Sequence, residues 1–108
     1  MYDVLIVGAG PGGIFTAYEL LEKRPDLSIA VFEMGSELEK RHCPIDGHKI
    51  RSCIHCKNCS IMSGFGGAGA FSDGKYNITN DFGGTLYEYI GKKTALELME
   101  YVDKINLA

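Results

Sequence analysis

An α/β fold is predicted by three features near the start of the chain. The apolar run Asp3-Val4-Leu5-Ile6-Val7 leads directly into a glycine-rich turn, Gly8-Ala9-Gly10-Pro11-Gly12-Gly13. A helical pattern follows, and a second apolar run, Ser28-Ile29-Ala30-Val31-Phe32-Glu33, closes the unit on an acid. Strand, helix and parallel strand within about 30 residues form one βαβ crossover. Doubly wound sheets of this Rossmann-like type carry about five or six strands. Only one further weak strand candidate is visible, Lys75-Tyr76-Asn77-Ile78-Thr79, so the sheet is expected to be incomplete. Three segments are expected: the βαβ unit over 1–34, a Cys/Gly-rich irregular excursion over 35–84, and a helical segment over 85–108.

Each element has a local reason. Val4 to Val7 is apolar without alternation, which suits a strand covered on both faces. Ile14, Ala17, Leu20 and Leu21 fall near one helical face, predicting a helix from Ile14 to Lys23. Arg24-Pro25-Asp26 ends it, because the residue before proline avoids the helical region. Residues 34–84 show little periodicity, and long irregular segments of this kind are usually functional or disordered. Thr85 to Ile90 predicts a short helical turn. Thr94-Ala95-Leu96-Glu97 reads as a capping box with Thr94 as cap, opening a second helix whose apolar face is Leu96, Met99, Val102 and Ile105.

Composition narrows the function classes. The 108 residues are enough for about one domain. A net charge of −3 makes nucleic acid and anionic membrane poor partners. No apolar run approaches the roughly 18 residues of a membrane span, and Met1 leads into YDVLIVG with no basic leader. A cytoplasmic location is therefore expected. Cytosolic cysteines stay reduced, so the four present point to metal or redox chemistry before structural disulfides.

Gly8, Gly10 and Gly13 form G-x-G-x-x-G between a strand and a helix. Gly8 permits the tight turn, Gly10 lets backbone approach a pyrophosphate, and Gly13 lets the helix pack close to the strand. With Pro11 and Gly12, they open a helix whose free N–H groups and positive end favour phosphates. Glu33, twenty residues beyond Gly13, would accept hydrogen bonds from the hydroxyls of an adenosine ribose and repel a 2′-phosphate. The alternative is a purely structural glycine turn. The motif does not separate FAD from NAD, since both present ADP.

The stretch GAGPGGIFTAYELLEKRPDLSIAVFE, with Ala17 and Leu20 at the helix positions, resembles the ADP-binding unit of the two-dinucleotide-binding-domain flavoproteins. The run SGFGGAGAFSDGK, preceded by C-x-x-C-x-x-C, is more narrowly similar to the uncharacterised FAD-dependent dehydrogenases of bacteria and archaea. This resemblance covers nearly the whole chain. It implies FAD as cofactor, an oxidoreductase activity, and further FAD- and substrate-binding segments beyond Ala108, so the 108 residues alone are expected to be inactive. NAD(P)H as electron donor, and a small-molecule substrate or electron carrier as partner, belong to the same expectation.

Residues Gly64 to Lys75 form a second glycine loop, nearly free of bulky side chains between Gly66 and Ala70. Its bare backbone (Gly66, Gly67, Ala68, Gly69) could lie against a flat ring or a phosphate. The resemblance implies polar contacts to FAD or substrate from Ser72, Asp73 and Lys75, with Lys75 beside the flavin. The plain alternative is a surface loop with Lys75 solvated.

Cys53, Cys56 and Cys59 are spaced C-x-x-C-x-x-C, and Cys43 precedes Pro44. Ferredoxin-type iron–sulfur sites use C-x-x-C-x-x-C plus a distant Cys-Pro. Here the Cys-Pro lies ten residues upstream of the run rather than downstream. Zinc, with four ligands, is a second reading. A flavin-linked dithiol of Cys53 and Cys56 is a third, and inert thiols a fourth. Lys40, Arg41, Lys49, Arg51 and Lys57 favour thiolate in all the reactive cases. His42, His48 and His55 are expected to be loop residues rather than ligands. The sequence thus predicts the FAD-binding part of a flavin-dependent oxidoreductase. The alternatives are an NAD-binding module, or a metal or iron–sulfur electron-transfer segment without catalysis of its own.

Overall fold

A computed structural model describes residues 1–81 and 83–108. The chain forms two compact units, Met1–Ser72 and Asp73–Ala108.

The first unit contains β1 (Val4–Val7), α1 (Pro11–Lys23) and β2 (Ile29–Phe32). The strands pair in parallel, from Val4 opposite Ile29 to Val7 opposite Phe32. Side chains fix that register at its start. Asp3 Oδ2 accepts from the Ser28 N–H (2.8 Å), while the Asp3 N–H donates to the Ser28 carbonyl (2.9 Å). At the other end the Gly8 N–H donates to the Phe32 carbonyl (2.6 Å), carrying the ladder one residue into the turn. The helix begins at Pro11, three residues before the position predicted. Proline suits the first helical position, where its missing N–H leaves no bond unmade, and Gly10 stands before it in an extended conformation. At the far end the Arg24 guanidinium grips the Asp26 carboxylate with bonds of 2.9 and 2.7 Å, fixing the turn into β2.

The sheet is thin. Val7 is 89 % exposed and Leu5 61 % exposed, and among the described residues Ala9 and Ala95 are the buried apolar side chains. The unit is an incomplete α/β layer whose strands still present apolar faces to solvent. The irregular segment after β2 folds back onto it through two 3-10 turns, Leu38–Lys40 and Gly67–Phe71.

The second unit contains α2 (Leu86–Ile90) and α3 (Lys92–Leu107). Gly91, at φ +82°, separates them. Its N–H donates to the Tyr87 carbonyl and its carbonyl accepts from Ala95, so one residue closes α2 and opens α3. Two expectations are corrected here. Thr94 lies inside α3 and does not cap it, because Gly91 already makes the helix-entry bend two residues before Lys93. Residues 75–79 form no strand. The Lys75 N–H bonds locally to Asp73 Oδ1 (3.2 Å) after a left-handed Gly74, a turn that competes with extended pairing.

Candidate functional site: a groove between two glycine loops

The groove forms where β1 and β2 end, the position at which open α/β sheets receive their ligands. Its volume is about 310 Å³, and Gly8, Gly10, Glu33, Gly64 and Gly67 line it together with the strand-end and loop side chains Phe32 and Met62.

The three fingerprint glycines do different physical work. Gly8 has φ +98°, which a side chain rarely tolerates. A Cβ on Gly13 would lie 1.9 Å from the Gly8 carbonyl oxygen and 3.2 Å from Ile6 Cγ2, so helix and strand could not approach as they do. Gly10 is under no such demand. A Cβ there would meet only Gly67 Cα, at an ordinary 3.9 Å. The fold itself requires Gly8 and Gly13, whereas nothing in the packing demands glycine at position 10.

Glu33 stands at the end of β2 and ties the first glycine turn to the backbone just beyond its own strand. Its Oε2 accepts from the Ala9 N–H and its Oε1 from the Gly35 N–H, each at 2.8 Å. These bonds, the Ala9 one foremost, hold its carboxyl below the usual glutamate range.

The second glycine loop packs on the first. The Gly66 N–H donates to the Ala9 carbonyl (2.8 Å), and a Cβ on Gly67 would lie 3.1 Å from Gly10 Cα and 3.2 Å from Pro11 Cδ. Its bare backbone is thus used first against the other loop. Gly64 faces Gly35 closely enough that a Cβ on Gly35 would fall 2.5 Å from the Gly64 nitrogen. Ala68 and Gly69 lie on the 3-10 turn, and the Ser72 N–H closes it onto the Gly69 carbonyl (3.1 Å). Lys75 belongs to the second unit, where its ammonium pairs with Asp73 at 3.2 Å and both side chains are exposed.

One residue that organises the site carries no motif in the sequence. Arg41, grouped there with cations favouring thiolate, is 3 % exposed. Its Nε–H donates to the Ser60 carbonyl (2.9 Å), Nη1 to those of Phe65 and Gly67 (2.6 and 2.9 Å), and Nη2 to that of Ile61 (2.8 Å). The guanidinium also lies 4.9 Å from the Phe71 ring centroid, a cation–π distance. Burying this charge would be costly without partners; here four carbonyls supply them, and they belong to the loop that walls the groove. A planar fork of donors is what lets one side chain gather so many carbonyls. The signal in the sequence was slight: a single arginine some twenty residues before a glycine run.

The four cysteines are free thiols. Cys43, Cys53, Cys56 and Cys59 line one cavity of about 300 Å³ in the first unit. Among the described residues, no three His, Cys, Asp or Glu side chains are gathered as a single metal ion would need. His55 lies at this cavity and His48 in the turn before it; the His48 N–H donates to Asp46 Oδ1 (2.8 Å).

Comparison with known proteins agrees with this geometry. Residues 6–56 match the family model of the NAD(P)-binding Rossmann-like domain. The matched span begins inside β1 and covers α1, β2 and the first part of the cysteine segment. The first unit carries a Rossmann-like, nucleotide-binding βαβ. An uncharacterised protein of Clostridium beijerinckii is 37 % identical over 71 residues, 66 % of this chain and 13 % of that protein. The mitochondrial electron transfer flavoprotein-ubiquinone oxidoreductase of Arabidopsis thaliana is 54 % identical over 41 residues, 34 % of this chain and 6 % of that protein. A thiamine thiazole synthase of Phaeosphaeria nodorum is 58 % identical over 33 residues, 31 % of this chain and 10 % of that protein. The chain therefore spans a small part of these relatives' length. No solved structure matches it. No helix among the described residues is long and apolar enough to cross a membrane.

Proposed function

We propose that the chain is the FAD-binding part of a flavin-dependent oxidoreductase. The observation that carries this reading is the Glu33 carboxylate at the end of β2, directed at the Gly8–Gly13 turn across a groove that opens at the strand ends. Gly10 and the first residues of α1, Pro11 and Gly12, would receive the pyrophosphate, with the helix N-terminus favouring its charge. Glu33 would exchange its bond to the Ala9 N–H for ribose hydroxyls. Phe32, Met34 and Met62 offer an apolar wall suited to a flat ring. FAD is favoured over NAD by the resemblance of both glycine runs to flavoproteins, and the relative named as an electron transfer flavoprotein-ubiquinone oxidoreductase fits flavin-linked electron transfer; the matched family model names NAD(P), whose ADP half is the same. The flavin, once bound, supplies the hydride or electron transfer. The chain's own residues bind it, orient it and shield it. Further FAD- and substrate-binding segments would lie in a longer protein, which would act in the cytoplasm on a small-molecule substrate or electron carrier. In that protein Ser72 and Lys75 would be polar contacts to cofactor or substrate.

Flavin content tests the proposal. Protein refolded with excess FAD is expected to retain yellow flavin after desalting, to release FAD on denaturation, and to be displaced by ADP more readily than by NADH. Gly10→Val is expected to abolish retention while leaving the helical signal unchanged. Preferential binding of NADH, or a Gly10→Val protein that retains FAD normally, would overturn it.

A further inference from the structure

We infer that Cys43, Cys53, Cys56 and Cys59 hold an iron–sulfur cluster of the four-iron type. The four thiols line a single cavity although nine residues lie between Cys43 and the run that begins at Cys53. The intervening segment is built to return. Asp46 Oδ1 accepts from the His48 and Ile50 N–H groups (2.8 and 2.9 Å), and the Asp46 and Gly47 N–H groups donate to the Ile50 carbonyl (3.1 and 3.3 Å). This closed turn brings the arm carrying Cys53 back beside the one carrying Cys43.

Between Cys53 and Cys56 the chain bends through His55, which takes a left-handed φ of +53°, uncommon for a residue other than glycine. The bend aims the His55 N–H at Cys53 Sγ, 3.4 Å away. Hydrogen bonds of this kind to ligand sulfur are among the devices that tune iron–sulfur centres. Cys59 opens the next turn, its carbonyl accepting from Met62 and Ser63 (3.1 and 2.8 Å). Arg41 fixes that turn through the carbonyls of Ser60 and Ile61.

The donor set decides the class of ligand. Thiolates select zinc, copper(I) and iron–sulfur clusters. A single zinc ion draws its ligands to within about 2.3 Å of one point, and zinc without sulfide is the competing outcome that metal analysis separates from a cluster. A cluster of several irons takes cysteines spread around a larger body, and a cavity of about 300 Å³ walled by Pro44, Ile45 and Ile54 has room for one. On ligation each thiol would give its proton to solvent and bind as the thiolate. Arg41 links this cavity to the nucleotide groove, since the same guanidinium also holds the Phe65 and Gly67 carbonyls.

The test is metal and sulfide analysis of the protein purified without oxygen, or reconstituted with iron, inorganic sulfide and dithiothreitol. About four irons and four labile sulfides per chain are expected, with a broad visible absorption bleached by dithionite and a paramagnetic signal from the reduced form. Cys43→Ala is expected to lose the cluster while keeping its far-ultraviolet dichroism. One zinc without sulfide, about half the expected iron and sulfide, no metal uptake by folded protein, or a Cys43→Ala protein with its full cluster would each overturn the inference. The cluster assay stands apart from the flavin reading: Gly10→Val is expected to keep the iron, and Cys43→Ala to keep the flavin.

Discussion

The two glycine loops look alike in sequence but are held in place by different means. The first, Gly8 to Gly13, is fixed by the elements it joins. Its Gly8 N–H continues the strand ladder, and its Gly13 is the contact between α1 and β1. The second, from Gly64, has no strand or helix on either side of it in the first unit beyond a 3-10 turn. It is held by Arg41, a side chain more than twenty residues before the loop, whose guanidinium gathers the loop's carbonyls. A loop between regular elements inherits its geometry from them. A loop without such neighbours needs a long-range clamp, and its glycines reflect close packing as much as ligand approach.

That contrast is broken most severely at Gly13. A methyl group in Gly13→Ala would overlap backbone, 1.9 Å from the Gly8 oxygen, where no side chain can give way. Overpacking of this kind costs about 3 kcal/mol, and the helix must lift from the strand. The expected result is a large fall in the denaturation midpoint of the first unit, with loss of nucleotide binding as a consequence. An unchanged midpoint would mean that α1 does not rest on β1 as described.

Arg41→Met tests the other half. It keeps much of the side chain's bulk but removes every donor. Four carbonyls lose their partner; some regain water as the loop opens, so a cost of about 2 kcal/mol is expected. The damage should be local. Amide exchange is expected to accelerate over residues 60–71 while Gly8 and Ile14, bonded within the first turn and helix, keep their protection. Arg41→Lys is expected to rescue little, because an ammonium cannot reproduce the planar fork. Uniform loss of protection across the first unit would show that the two loops are not separately held.

How much could be read from the sequence follows the same division. The βαβ unit was legible because its signals are local: an apolar run, glycines at fixed offsets, a terminal acid. The helix starts three residues before the apolar pattern does, because Pro11 belongs both to a glycine-rich turn and to the first helical position, where proline is at home. The strand expected at 75–79 and the cap expected at Thr94 failed for a related reason. Asp73, Gly74 and Gly91 supply competing local turns that a search for apolar alternation or capping pairs does not weigh. Arg41 was illegible because its partners are backbone carbonyls, which any sequence would provide. The convergence of Cys43 on the later cysteines was only half legible. Spacing proposed the set, but the Asp46–Ile50 turn that returns the chain has no fixed signature.

The smallest expected effect is at Glu33, and it sharpens the comparison because this carboxylate ties the first glycine loop to the strand end, a tie that Arg41 does not provide. Its pKa is depressed by the Ala9 N–H and then by the Gly35 N–H. A depressed carboxylate contributes stability that is fully present above its unfolded pKa and is lost as pH falls through the lower, folded value. The Ala9 and Gly35 amides should therefore be protected at neutral pH and loosen below the ordinary glutamate range. In Glu33→Gln that titration should vanish. The amide still offers one acceptor, but its NH2 now confronts one of the two backbone donors, so one of the Ala9 and Gly35 bonds is released and the other kept. Asp46, also depressed by the Ile50 and His48 N–H groups, titrates alike in both proteins and serves as the internal control. Nuclear magnetic resonance of the two amides against pH reads the difference directly. If both amides in the wild type titrate at the ordinary glutamate value, or not at all, Glu33 does not hold the first glycine turn to the end of β2, and its proposed exchange from backbone to ribose loses its starting state.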